Sequence, residues 1–288
     1  MSSLNSVSKI MVALAMALIS VQPAAQHCLT NDDVTDTPIN EDSRLQLLDA
    51  QTQFSLDMLK TLSSLQPSEN LFFSPSSVYN ALLLAYFISA NQTEATLKQA
   101  LHLPANQDKP DTLGAYQLEK YYQRLRSINH SLNYQLSSAN RMYVSNKEHL
   151  RPCMKSLFRD EIEMADFTVS LSSTIDRINS WVSSQTRNNI NDLLSKDSLN
   201  SNTNLVLANA AYFRGLWKNQ FNPSETSETQ FELANGTKVP VMMMSIENEF
   251  NHLFEESLEA DVLELPYEGD DISMFILLPV NTSLTAIE

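Results

Sequence analysis

Only four glycines occur in this 288-residue chain, Gly114, Gly215, Gly236 and Gly269, and no two lie near each other. A phosphate-cradling loop or a dinucleotide fingerprint needs several glycines in one turn, and a G-x-S-x-G elbow needs two around a serine. None of these sites can be built here. The five histidines, His27, His102, His130, His149 and His252, are scattered, with no i, i+4 pair and no H-E-x-x-H. That removes the usual zinc patterns, and neither a metal site nor a cofactor is expected. Basic residues are also scarce, 19 Lys and Arg against 34 Asp and Glu, for a formal net charge of −15. Such a surface repels phosphate backbones, so nucleic acid is not an expected partner. The two cysteines, Cys28 and Cys153, cannot form a disulfide framework; a single bridge between them and pairing of Cys28 elsewhere both stay open. A Ser/His/Asp triad is assembled in space and is not excluded by spacing, but no nucleophile motif marks one. The chain is therefore not expected to be an enzyme.

Long apolar runs are missing too, with one exception. Ile10–Val21 is twelve apolar or small residues long, against the roughly 20 that a membrane-spanning helix needs. It follows Lys9 and precedes Pro23, Ala24 and Ala25, which reads as a secretory signal over residues 1–25. No membrane partner is expected after its removal. Four N-x-[ST] sequons, at Asn91, Asn129, Asn235 and Asn281, fit a secreted, extracellular glycoprotein. Residues 26–41 are acidic, polar and poor in large apolar side chains, so a flexible tail is expected there.

What is abundant is periodic apolar residues. Helical spacing predicts helices over Asp42–Leu65 (ended by Pro67), Val78–Ile88, Thr93–Leu101, Asp111–Ile128, Lys147–Met164 and Ser173–Leu194. The step Ser74–Pro75 is a start signal, with a hydroxyl for the N-cap and proline at the first helical position. Strands are predicted over Leu71–Phe73, Leu132–Val144, Leu205–Phe213, Val239–Met244, Val262–Leu265 and Ile272–Leu278. In Leu132–Val144 the alternation puts Leu132, Tyr134, Leu136, Met142 and Val144 inward. Leu205–Phe213 is apolar on both faces apart from Asn209, as in a sheet covered above and below. Met242–Met244 are expected in the core, Trp181 and Trp217 in packing roles, and a further helix begins at Leu284. No repeat or linker divides residues 42–288.

Several of these segments share a resemblance. The positions Asn209, Ala211, Tyr212, Phe213, Gly215 and Trp217, followed by Phe221, Thr226, Phe231, Val241, Met243 and Met244, are similar to the centre of the serpin (serine protease inhibitor) family. The same family is resembled by NLFFSPSS (70–77), ANRMYV (139–144), Asp166–Phe167, and Ile178, Asn179, Trp181 and Val182. Leu265–Pro266–Tyr267 with MFILLP (274–279) completes the match, in the family's order, from Asp42 to Glu288.

The resemblance implies an α+β fold with a large central β-sheet, a second β-sheet and about eight or nine helices. It also implies suicide inhibition of serine proteases: an exposed loop is cleaved, stays joined to the protease and inserts into the main sheet as a new strand. By the same resemblance Asn209, Tyr212, Phe213, Trp217 and Ser74 belong to the region that controls how the sheet opens. Asn209 reads equally as a switch residue or as a satisfied structural amide. Some serpins bind heparin on the helix matching Asp111–Ile128. Here only Lys120, Arg124 and Arg126 are basic, alongside Glu119, which describes a solvated face rather than a polyanion site.

The family's loop and last core strands would follow Glu288, so no reactive bond can be named. The 288 residues by themselves are expected to trap no protease and to expose strand edges at Leu205–Phe213 and Ile272–Leu278. The alternative within the family is a non-inhibitory carrier or binding protein.

Overall fold

The computed structural model describes residues 28–29, 40–66, 70–129, 133–233 and 235–280. The expected signal, the start of a helix at Leu284 and inward-facing Leu132 lie outside the described residues. So does most of the expected tail. The chain divides into two compact units, one of Met1–Arg126 with Ser137–Tyr212, the other of Ser127–Leu136 with Phe213–Glu288.

The first unit is built around one apolar helix. Helix α1, Glu41–Leu65, starts where the Asn40 side chain accepts the Asp42 N–H at 2.9 Å, with Glu41 and Asp42 placed favourably against the helix dipole. Helix α2, Pro75–Ile88, begins on proline and buries Tyr79, Leu83, Leu84, Tyr86 and Phe87 almost completely. Each such side chain contributes about 1.5–3 kcal/mol of burial, so α2 is the axis of this core. Helices α3 (Asn91–Ala100), α4 (Lys109–Asn129), α5 (Pro152–Leu157) and α6 (Leu171–Gln185) complete the set, six α-helices among the described residues where about eight or nine were expected.

Three strands, β1 (Tyr134–Ser145), β2 (Ile162–Ala165) and β3 (Leu205–Gly215), form a sheet in the order β2-β1-β3. Strands β1 and β2 run parallel, Met142 opposite Ile162 and Ser145 opposite Ala165. Alternation along β1 sends Met142 and Val144 into the cluster around α2, and Tyr143 to the opposite face with Ile178 of α6 and Ala208 of β3. The sheet is thus covered on both sides here.

The structure corrects several sequence expectations. Lys147–Met164 is not one helix: α5 has six residues, and Ile162–Ala165 takes the strand position beside β1 because Ile162 and Ala165 are buried there. The helix expected over Ser173–Leu194 stops at Gln185. Thr186 turns its hydroxyl back to Val182 O at 2.9 Å, and Arg187 and Asn188 take positive φ of 52° and 62°. Leu71–Phe73 forms no strand, and Phe72 is fully exposed. Strand β3 is buried only in its middle, at Ala208 and Ala210, and Leu205 and Phe213 are 40% and 42% exposed. Leu136 is also exposed rather than inward.

Cys28, expected in a loose tail, is 1% exposed and bonded to Cys153 of α5, with Cα atoms 5.9 Å apart. Arg151 Nη1 donates to Cys28 O at 2.9 Å beside it. This settles the pairing that composition left open.

In the second unit β4 (Ser227–Glu232) and β5 (Lys238–Met243) form an antiparallel hairpin. Strands β6 (His252–Glu255), β7 (Ala260–Pro266) and β8 (Ser273–Pro279) form an antiparallel sheet in that order. Between the last two strands the chain turns with Gly269 and Asp270 at positive φ. Burial does not follow the expectation. Met242, Met243 and Met244 are exposed, Met242 by 67%, and Met274 through Leu278 of β8 are exposed on both faces. Among the described residues no layer covers these strands.

Candidate functional site

The polar residue in the middle of β3 defines the site in the first unit. Asn209 Nδ2 donates to Asn140 Oδ1 on β1 at 2.5 Å. Alternation places Asn140 on the same face of β1 as Ser138 and Met142. Ser138 Oγ lies 3.2 Å from Ser77 Oγ on α2, and Ser74 Oγ donates to Ser77 Oγ at 2.9 Å. A polar seam of hydroxyls and amides therefore joins the start of α2 to the sheet, on the face otherwise packed with Met142, Val144 and Leu207.

Leaving a half-buried amide unpartnered costs about 1–3 kcal/mol, whereas each made bond is worth about 0.5–1.5 kcal/mol net. Asn209 Nδ2 has such a partner, a side chain on the neighbouring strand. Ser74 has a different role from the expected cap: it makes no side-chain bond to a backbone N–H of α2, and its hydroxyl joins the seam instead. Tyr212 stands apart from the seam. The Arg187 guanidinium lies 5.6 Å from its ring centroid, and positive φ at Arg187 turns the chain just after α6.

In the second unit Phe213 and Trp217 meet on one tyrosine. Trp217 stacks on Tyr267 at 4.3 Å between centroids, and Phe213 meets it edge-on at 4.9 Å. Gly215 makes that approach possible: a Cβ there would sit 2.4 Å from Tyr267 Cδ1 and 2.8 Å from its Cε1. The backbone is fastened at the same place. Lys218 N–H donates to Pro266 O at 3.0 Å, Glu268 N–H to Leu216 O at 2.8 Å, and Leu216 N–H to Asn133 O at 3.1 Å. Burial beneath the rings pushes the Tyr267 phenol above its ordinary pKa.

Sequence reasoning named Asn209, Ser74, Tyr212, Phe213 and Trp217 and missed their surroundings, Asn140, Ser77, Ser138, Arg187 and Tyr267. Asn140 and Ser138 lay within a stretch already recognised as a strand, and two-residue alternation could have paired Asn140 with Asn209. Tyr267, Ser77 and Arg187 carried no such signal, because which residue meets them depends on the crossing of distant segments.

The sequons divide clearly. Asn91, the first residue of α3, and Asn235, in the β4–β5 turn, are exposed. Asn129 closes α4 with its side chain outside the described residues, and Asn281 lies outside them altogether. On α4, Lys109 pairs with Glu94 at 2.8 Å, Lys120 with Glu161 at 2.6 Å and Arg126 with Glu119 at 2.8 Å, so carboxylates occupy three of its four cations. Among the described residues no group of three or more His, Cys, Asp or Glu is placed to hold a metal ion, and no helix is long and apolar enough to cross a membrane.

Comparison with known proteins gives a consistent result. The family model described as Serpin (serine protease inhibitor) matches residues 49–288. The chain is 36% identical to serine protease inhibitor 88Ea of Drosophila melanogaster over 253 residues, covering 83% of this chain and 59% of that protein. It is 33% identical to the leukocyte elastase inhibitor of Sus scrofa, over 81% of this chain and 61% of that protein. Among solved structures, maspin superposes with a TM-score of 0.75 at 31% identity, covering 85% of this chain and 66% of maspin. The chain therefore spans about three fifths of the length of the first two relatives, 59% and 61%.

Proposed function

Because the chain belongs to the serpin family, we propose that a full-length protein carrying it inhibits serine-type endopeptidases by trapping them on a cleaved, sheet-inserted loop. The activity is proposed for such a protein as a whole, since these residues span about three fifths of the inhibitors they match, 59% and 61%. The match over residues 49–288 carries the reading, and the likeness to a serine protease inhibitor and to a leukocyte elastase inhibitor supports serine proteases as the partner class. The chain itself then acts as the body that receives the loop, not as an enzyme.

In this reading the seam through Ser74, Ser77, Ser138, Asn140 and Asn209 governs opening. Inserting a strand into a sheet requires neighbouring strands to separate, and side-chain hydrogen bonds between strands and helix set how much work that takes. Tyr212, Phe213 and Trp217 hold the far end of β3 and the segment after it. Secretion is part of the same proposal. It is supported by the signal-like residues 1–25, the four sequons and the buried Cys28–Cys153 bridge, a bond that persists in oxidising compartments.

The test is incubation of the full-length protein with trypsin-like, chymotrypsin-like and elastase-like proteases, followed by denaturing electrophoresis. A complex that survives denaturation is expected with at least one of them. Cleavage as a plain substrate by all three would favour the non-inhibitory alternative and reject the trap.

A further inference from the structure

We propose that Asn235 carries an N-linked glycan, taken from a polyprenyl-diphosphate-linked oligosaccharide; this rests on the secretory reading above and assigns one particular residue. The β4–β5 ladder ends at Glu232 opposite Lys238. Beyond it the chain closes through Leu233 N–H to Thr237 O and Gly236 N–H to Leu233 O, both 2.8 Å. Gly236 has φ of +79°, a left-handed conformation that suits glycine, and nothing lies within 4 Å of where a Cβ would be. The apex therefore stands clear in solvent.

At that apex Asn235 Oδ1 accepts the Thr237 N–H at 2.9 Å. The side chain is turned back on its own sequon, and Nδ2 has no partner among the described residues. In the transfer, Nδ2 attacks C1 of the first sugar. The bond from C1 to the diphosphate oxygen breaks, the lipid diphosphate leaves with that electron pair, and one Nδ2 proton passes to base. The product amide keeps Oδ1 and one N–H, so the bond from Thr237 survives and the turn need not change. Asn91 differs: its sequon runs into the first turn of α3, with Asn91 itself at φ 55°. A glycan at Asn235 would also stand beside exposed Phe231 and Leu233, apolar groups of the same hairpin that otherwise face water.

The experiment expresses the full chain with its own N-terminus in a eukaryotic secretory host. The secreted product is treated with an amide-cleaving glycosidase in heavy-oxygen water, with an untreated control in the same water, and its peptides are weighed. The expected result is Asn235 converted to labelled Asp only after glycosidase. Asn235→Gln and Thr237→Ala should each remove one mobility step, Thr237→Ser should keep it, and Asn91→Gln should leave the Asn235 label in place. A secreted product with Asn235 unmodified overturns this proposal while secretion stands. A chain that never enters the secretory pathway overturns the secretory reading and this assignment together.

Discussion

Removing the Cys28–Cys153 bridge should be among the most damaging changes available at two positions. The bridge closes a loop with a sequence separation of 125 residues. In the chain-entropy treatment, a loop of that length restricts the unfolded state by about 16–17 cal/mol/K, or ~5 kcal/mol at 25 °C. The folded state loses more when the segment detaches, because Cys28 and Leu29 are both buried in the core around α2 and Arg151 bonds Cys28 O. Net stability of a domain is only about 5–15 kcal/mol, so the loss is a third of it or more. At roughly 2–4 °C per kcal/mol for a chain of this size, Tm should fall by ~10–20 °C. The double variant Cys28→Ser with Cys153→Ser avoids leaving a lone thiol, and calorimetry of parent and variant reads the change. Thiol titration of the unfolded parent should find no free thiol before reduction. A variant melting within about 2 °C of the parent would refute the argument; it would mean that the N-terminal segment is not held where the bridge places it.

Other consequences can be checked separately. Gly215→Ala forces a methyl onto the Tyr267 ring and should destabilise by about 1–3 kcal/mol, measured by denaturant titration; an unchanged midpoint would show that the ring yields freely. Asn209→Ala leaves Asn140 Oδ1 without its donor and should cost ~1–3 kcal/mol, and a double-mutant cycle with Asn140→Ala should show coupling, where additivity would deny the contact. Burial raises the phenols of Tyr79 and Tyr116, and burial with the Glu94 charge takes Tyr86 to about 12. Unfolded tyrosine ionises near pH 10, so above that pH the unfolded chain has lost protons that the folded one still holds. Stability should be intact below pH ~10 and fall steadily towards pH 12, followed by tyrosinate absorbance against circular dichroism; ionisation of all tyrosines without unfolding would contradict the burial. In the second unit, Phe275→Lys with Leu278→Glu should reduce binding of an apolar dye by the 288-residue chain without lowering its melting temperature, because both side chains are exposed in β8.

Much of the local structure was legible in the sequence because it depends on neighbours in sequence. Pro75 at the first position of α2, the all-round apolar pattern of Val78–Ile88 and the two-residue alternation before Val144 each follow from backbone sterics and side-chain spacing. The motif around Asn209 to Trp217 named the family from the same residues. Tertiary structure decided what spacing cannot carry. Ile162–Ala165 has a pattern that a helix would tolerate, and became a strand only because β1 offers a parallel edge there. Helix α6 ended early where the Thr186 hydroxyl folded back on Val182 O. The Met242–Met244 run and β8 are as apolar as any core strand, yet exposed, since burial belongs to the layer opposite and not to the strand itself. The bridge from Cys28 to Cys153, the pairing of Asn209 with Asn140 and the closing of Phe213 and Trp217 on Tyr267 join residues between 50 and 125 positions apart. Such contacts are fixed by how whole elements cross, which one-dimensional spacing does not encode.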